Sequence, residues 1–182
     1  MDETELSLLQ GELIFTAVWL LCRAAVWCRR REIDWRREAW LLLMYVNLAV
    51  IIRFVFYPFH PVGGHVQPLR LGSVQDRALR LNLLPFVHLA DYAVTREAVI
   101  NHVGNVTLFI PTGVLLPILY RRLGRPWKVI LAGAGISLAI ELAQLLLPNS
   151  VTDIDDLILN TLGVCLGCGI FRLAAVTPSD PE

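Results

Sequence analysis

Five apolar runs, at about 13–28, 39–59, 99–120, 127–147 and 157–176, govern what this chain can fold into. Each approaches the ~20 residues that a helix needs to cross the hydrocarbon layer of a bilayer. With 55% hydrophobic and 18% charged residues, the 182-residue composition agrees with that reading. The expectation is therefore all-α: a polytopic membrane helix bundle of about five transmembrane helices.

Lys and Arg in the connections set an expected orientation. Arg29, Arg30, Arg31, Arg36 and Arg37 follow the first run, and Arg121, Arg122, Arg125 and Lys128 surround the start of the fourth. Both connections should lie on the cytoplasmic side. The acidic start, Met-Asp-Glu-Thr-Glu, and the connection 148–156 contain no Lys or Arg, so both should lie outside. This puts the N-terminus out and the C-terminus in, with no cleavable signal expected. Arg70, Arg77, Arg80 and Arg96 fall in a long outer connection, where Arg77 and Arg80 suit an interfacial segment. The implied organisation is two helices plus that outer loop over 1–98, a three-helix core over 99–176, and a short cytoplasmic tail at 177–182.

Zero net charge argues against a nucleic-acid partner. Cys22, Cys28, Cys165 and Cys168 all lie within or at the ends of apolar runs, which disfavours a disulfide framework. The lone C-x-x-C reads as packing rather than metal ligation.

Polar residues inside the spans carry the functional signal, because burying them costs free energy that only a partner or a task offsets. Glu141 falls about 9 Å inside the outer end of the fourth run at 1.5 Å per residue, with Gln144 nearer that end. Asn101 and Asn105 occupy the outer turns of the third run, on one stripe with Thr112. Ser137, Glu141 and Gln144 form another stripe, and Asp153, Asp156 and Asn160 a third if the last helix begins early. Arg53 lies in the outer half of the second run. Gly163 and Gly167 form a G-x-x-x-G that admits a close neighbour, and Gly133, Gly135 and Ser137 offer a similar small surface. Taken singly, each amide reads as interhelical hydrogen bonding, Arg53 as a snorkelling cation, and the aspartates as a helix cap. Glu141 has no comparable structural account. Of His60, His65, His88 and His102, only His102 lies close to the polar stripe.

Three blocks then carry a resemblance: Asn101-His-Val-Gly-Asn105 running on to Gly113, Ser137-Leu-Ala-Ile-Glu141-Leu-Ala-Gln144, and Asp153-Ile-Asp-Asp156-Leu-Ile-Leu-Asn160-Thr-Leu-Gly163. In order and spacing they resemble the VanZ-like family of bacterial membrane proteins, and Asn82-Leu-Leu-Pro85-Phe86 is similar to a motif carried ahead of the asparagine helix. The resemblance implies a multi-pass protein of the bacterial cytoplasmic membrane and a link to resistance to the glycopeptide teicoplanin. Many relatives carry an arginine three residues before the first aspartate; here that position is Ser150.

The residues suit a polar pocket open to the outer leaflet, taking the headgroup of a membrane lipid or a lipid-linked cell-wall precursor. In that reading Glu141, Asp156 and Asp153 do acid–base work, while Arg53, Asn101, Asn105, Gln144 and Asn160 bind the headgroup. The sequence does not establish whether the protein is an enzyme. No cofactor is expected, and no metal, since Asp-x-Asp-Asp matches no calcium loop. The alternative is a non-catalytic scaffold or small transporter subunit of an envelope assembly, although no inverted repeat is visible.

Overall fold

The computed structural model describes residues 5–30, 32–57, 69–70, 81–82, 96–145 and 152–176. Five helices are long and apolar enough to cross a membrane. They are α1 (Leu8–Arg30), α2 (Trp35–Phe56), α3 (Arg96–Leu119), α4 (Pro126–Gln144) and α5 (Ile154–Val176). A 3-10 turn, Arg121–Leu123, joins α3 to α4. Two ladders of two residues per strand accompany them. Strand β1 (Glu5–Leu6) pairs antiparallel with β2 (Leu69–Arg70), and β3 (Leu81–Asn82) pairs parallel with β4 (Thr152–Asp153). The outer segment expected around Arg77 and Arg80 lies outside the described residues.

Local chemistry sets several helix starts. Ser7 and Gln10 close a capping box on α1: Gln10 N–H donates to the Ser7 hydroxyl, and Ser7 N–H donates to Gln10 Oε1. The Asp34 carboxylate accepts from Arg37 N–H at the start of α2, and Pro126 opens α4, where its missing N–H costs nothing. Asp153 Oδ1 accepts from Asp155 N–H at 3.0 Å, so this aspartate precedes α5 and caps it.

Without water to drive apolar faces together, the spans associate by close packing and interhelical hydrogen bonds. The most extensive contact joins α3 and α5, which run parallel. An added Cβ on Gly163 would stand 2.2 Å from the carbonyl oxygen of Val106, and one on Gly167 would stand 2.0 Å from that of Ile110. Across the same seam, a Cβ on Gly113 would stand 2.3 Å from Val164 O. The G-x-x-x-G face thus meets bare backbone. On α4, Gly133 packs against Val164 and Ser137 is fully buried. Gly135 is not part of that surface, as no atom lies within 4 Å of its Cβ position. Two residues are about 200° of helix rotation, so Gly135 faces away from Gly133.

α2 covers α3 through a buried polar link. Thr112 Oγ1 donates to Asn47 Oδ1 at 2.6 Å, and Asn47 Nδ2 donates to the Leu108 carbonyl at 2.9 Å. α1 is peripheral and buries no residue. It meets α2 through Phe15 stacked on Tyr45, the Thr16–Tyr45 hydroxyl contact at 2.7 Å, and a bidentate Arg23–Glu38 ion pair. Leucines 13, 20, 21, 43, 131, 142, 166 and 173 stay exposed, which provides the apolar girdle that acyl chains solvate. The four cysteines are free, and Cys168 is packed in the core.

Replacing Gly163 or Gly167 with valine should lower stability by at least about 1–3 kcal/mol, because the clash is with main chain that no rotamer relieves. The check is the midpoint of unfolding in mixed detergent micelles. Gly135→Ala should leave that midpoint unchanged.

Candidate functional site

Helix order places the N-termini of α1, α3 and α5 and the C-termini of α2 and α4 at one end of the bundle. The acidic and amide residues converge at that end. Arg29, Arg30, Arg36, Arg121, Arg122, Arg125 and Lys128 occupy the opposite one.

Glu141 is buried, 3% exposed, in the last turn of α4. The helix stops at Gln144, three residues on, so Glu141 lies about 4.5 Å from its end rather than the 9 Å expected from the apolar run. Hydropathy overshot because the helix stops at Gln144, before the apolar run does. The Asp153 amide donates to the Glu141 carboxylate, tying the end of α4 to the strand that leads into α5. Asp156, in the first turn of α5, lies within electrostatic range of Glu141, Asp153 and Asp155. Its Oδ1 accepts from Asn105 Nδ2 of α3, and His102 of the same helix is nearby. Asp155 is itself buried, 4% exposed. Carboxylates in the first turn of a helix are favoured by its dipole, which partly offsets their mutual repulsion.

Below this cluster, Asn160 Nδ2 donates to Ser137 Oγ at 2.9 Å, bridging α5 to α4, while Asn160 Oδ1 is buried without a hydrogen-bond partner among the described residues. Gln144 Nε2 reaches the Val55 carbonyl of α2 at 3.5 Å, and its Oε1 is likewise buried and unpartnered. Two acceptors are thus left in an environment where an unmet polar atom is costly.

The remaining expected residues stand apart. Asn101 is exposed, one turn before Asn105 near the start of α3. Arg53 is half-buried and donates from Nη1 to the carbonyl of Tyr57 at 2.8 Å, closing the end of its own helix. Asn82, the first residue of the Asn-Leu-Leu-Pro-Phe motif, pairs in register with Asp153 through β3 and β4, so that motif begins beside the acidic cluster. Asn47 was missed by the sequence reading, although an amide in the middle of an apolar run was a visible signal. Among the described residues no group of three or more His, Cys, Asp or Glu is arranged to hold a metal ion.

The arrangement can hold and relay a proton among neighbouring carboxylates, and it can accept hydrogen bonds from a donor-rich group. Fold and site together define a multi-pass helical membrane protein with a carboxylate–amide cluster at one end of its bundle. The chain belongs to the VanZ/LLP1 family, whose pattern matches residues 42–175. Protein VanZ of Enterococcus faecium is 34% identical over 94 residues, covering 52% of this chain and 53% of that protein. The chain therefore spans about half the length of that curated relative. No solved structure matches it.

A double-mutant cycle on Asn160→Ala and Ser137→Ala should return a coupling of about 0.6–1.7 kcal/mol, as expected for a hydrogen bond between transmembrane helices. Equilibrium unfolding of the four proteins in micelles measures it.

Proposed function

We propose that the acidic end of the bundle faces the outside of a bacterial cytoplasmic membrane. There it takes the headgroup of an envelope lipid or lipid-linked wall precursor that enters sideways from the outer leaflet. The orientation is supported by the Lys and Arg of the two short connections at the opposite end, 29–37 and 121–128. The site is supported by one observation above the others: Glu141, Asp153 and Asp156, from separate elements, meet around a single amide–carboxylate bond and the Asn105 contact.

The charge of the cluster narrows the ligand. Four carboxylates gathered at one end of the bundle favour groups that donate, such as hydroxyl, amide or ammonium, and the Asn160 and Gln144 oxygens, unbonded among the described residues, favour the same. A wall precursor presents all three. In this reading Glu141 and Asp156 exchange a proton with the headgroup while Asn105, Asn160 and Gln144 orient it. Arg53 holds the end of α2 rather than gripping an anion, which fits a chain with serine at position 150.

The expected phenotype is reduced susceptibility to teicoplanin. Cells producing Glu141→Gln or Asp156→Asn at the wild-type level should return to the susceptibility of cells that lack the protein, as measured by minimum inhibitory concentration. Full activity in both variants would overturn this reading in favour of a scaffold, because neither substitution changes the outer surface of the helices.

A further inference from the structure

A cavity lies at the basic end of the bundle, between the end of α3, the 3-10 turn, the start of α4 and the last turns of α5. It encloses about 520 Å³. Its floor is apolar, formed by Val129 and Cys168, which are 1% and 3% exposed. Its rim carries two guanidinium groups, Arg121 and Arg172. Arg172 Nη2 donates to Gly124 O at 3.4 Å, which holds that side chain over the turn and leaves most of its fork free. Among the described residues neither arginine is in an ion pair, and no carboxylate lines the cavity.

Two uncompensated cations beside an apolar floor, at the level where the spans end, call for a ligand with an anion at one end and hydrocarbon at the other. We propose that this cavity binds an anionic phospholipid. The phosphate lies between Arg121 and Arg172, and the upper acyl segment lies along Phe171 and Val129. Phosphate on its own satisfies the guanidinium groups and leaves the apolar wall unfilled, so the lipid accounts for both halves of the lining. The site is independent of the carboxylate cluster and shares no residue with it.

The test uses the full chain, purified in mild detergent, stripped of lipid and titrated with phosphatidylglycerol or phosphatidylcholine, with bound lipid counted by native mass spectrometry. The wild type should prefer phosphatidylglycerol roughly thirtyfold, the contribution of two arginines at an anionic headgroup. Arg121→Gln/Arg172→Gln should abolish the preference. Arg29→Gln/Arg30→Gln, which removes equal charge from the same end but outside the cavity, should keep it. Ala175→Phe keeps both charges and fills part of the cavity, so it should weaken binding of the lipid while the unfolding midpoint stays put. An equal loss in the Arg29/Arg30 variant would assign the effect to diffuse surface charge and overturn the proposal. So would phosphatidylcholine binding as well as phosphatidylglycerol, or millimolar inorganic phosphate binding the Ala175→Phe protein as tightly as the wild type binds lipid, which would make the ligand free phosphate.

Discussion

Backbone against backbone is the contact on which this bundle depends. In water, helices meet because their apolar faces are expelled from solvent; between acyl chains that drive is absent, and what remains is dispersion at short range and hydrogen bonds that have no competitor. Gly163 and Gly167 let α5 lie directly on the carbonyls of Val106 and Ile110, while Gly113 returns the contact from α3. Gly133 then admits Val164, bringing α4 to the same seam. Polar side chains are added at the edges of this three-helix contact, through Asn47–Thr112 toward α2 and Ser137–Asn160 within the core.

The carboxylate cluster follows from that packing. Asp156, Asn160, Gly163 and Gly167 share one stripe of α5, so the residues that bring the helices close also aim the acid and amide at α3 and α4. Glu141 arrives from α4 by the same logic, one turn beyond Ser137. The bond from the Asp153 amide to Glu141 is then made by a residue that also caps α5. A single residue thus fixes both the start of the last helix and the surroundings of the buried glutamate.

The spans were legible because about twenty apolar residues in a row admit few other readings. Gly163, Gly167 and the convergence of Glu141 with Asp156 were legible as well, since helical spacing assigns them to faces. What spacing does not assign is where a helix stops or which way a long side chain turns. α4 ends short of its apolar run, which moved Glu141 closer to the surface, and Arg53 folds back onto Tyr57 through a choice of rotamer that periodicity does not encode. Which aspartate caps the last helix was open for a similar reason. A helix beginning at Ile154 leaves the first aspartate as the cap and turns the second inward, and one residue of phase is about 100° of rotation.

The glycine seam also determines which relative motions the bundle has. Sliding α5 by one turn along α3 would carry Leu159 or Phe171 to a carbonyl that tolerates only a hydrogen atom in place of a side chain. Register is therefore locked, and the pair tilts or rotates as one strut. The carboxylate cluster and the arginine-rimmed cavity stand at opposite ends of that strut, so one rigid seam fixes the spacing between them. α2 is held against that strut by Leu41, Met44 and Ile51 in the core and by the Asn47 hydrogen bonds, whereas α1 buries no residue and lies outermost.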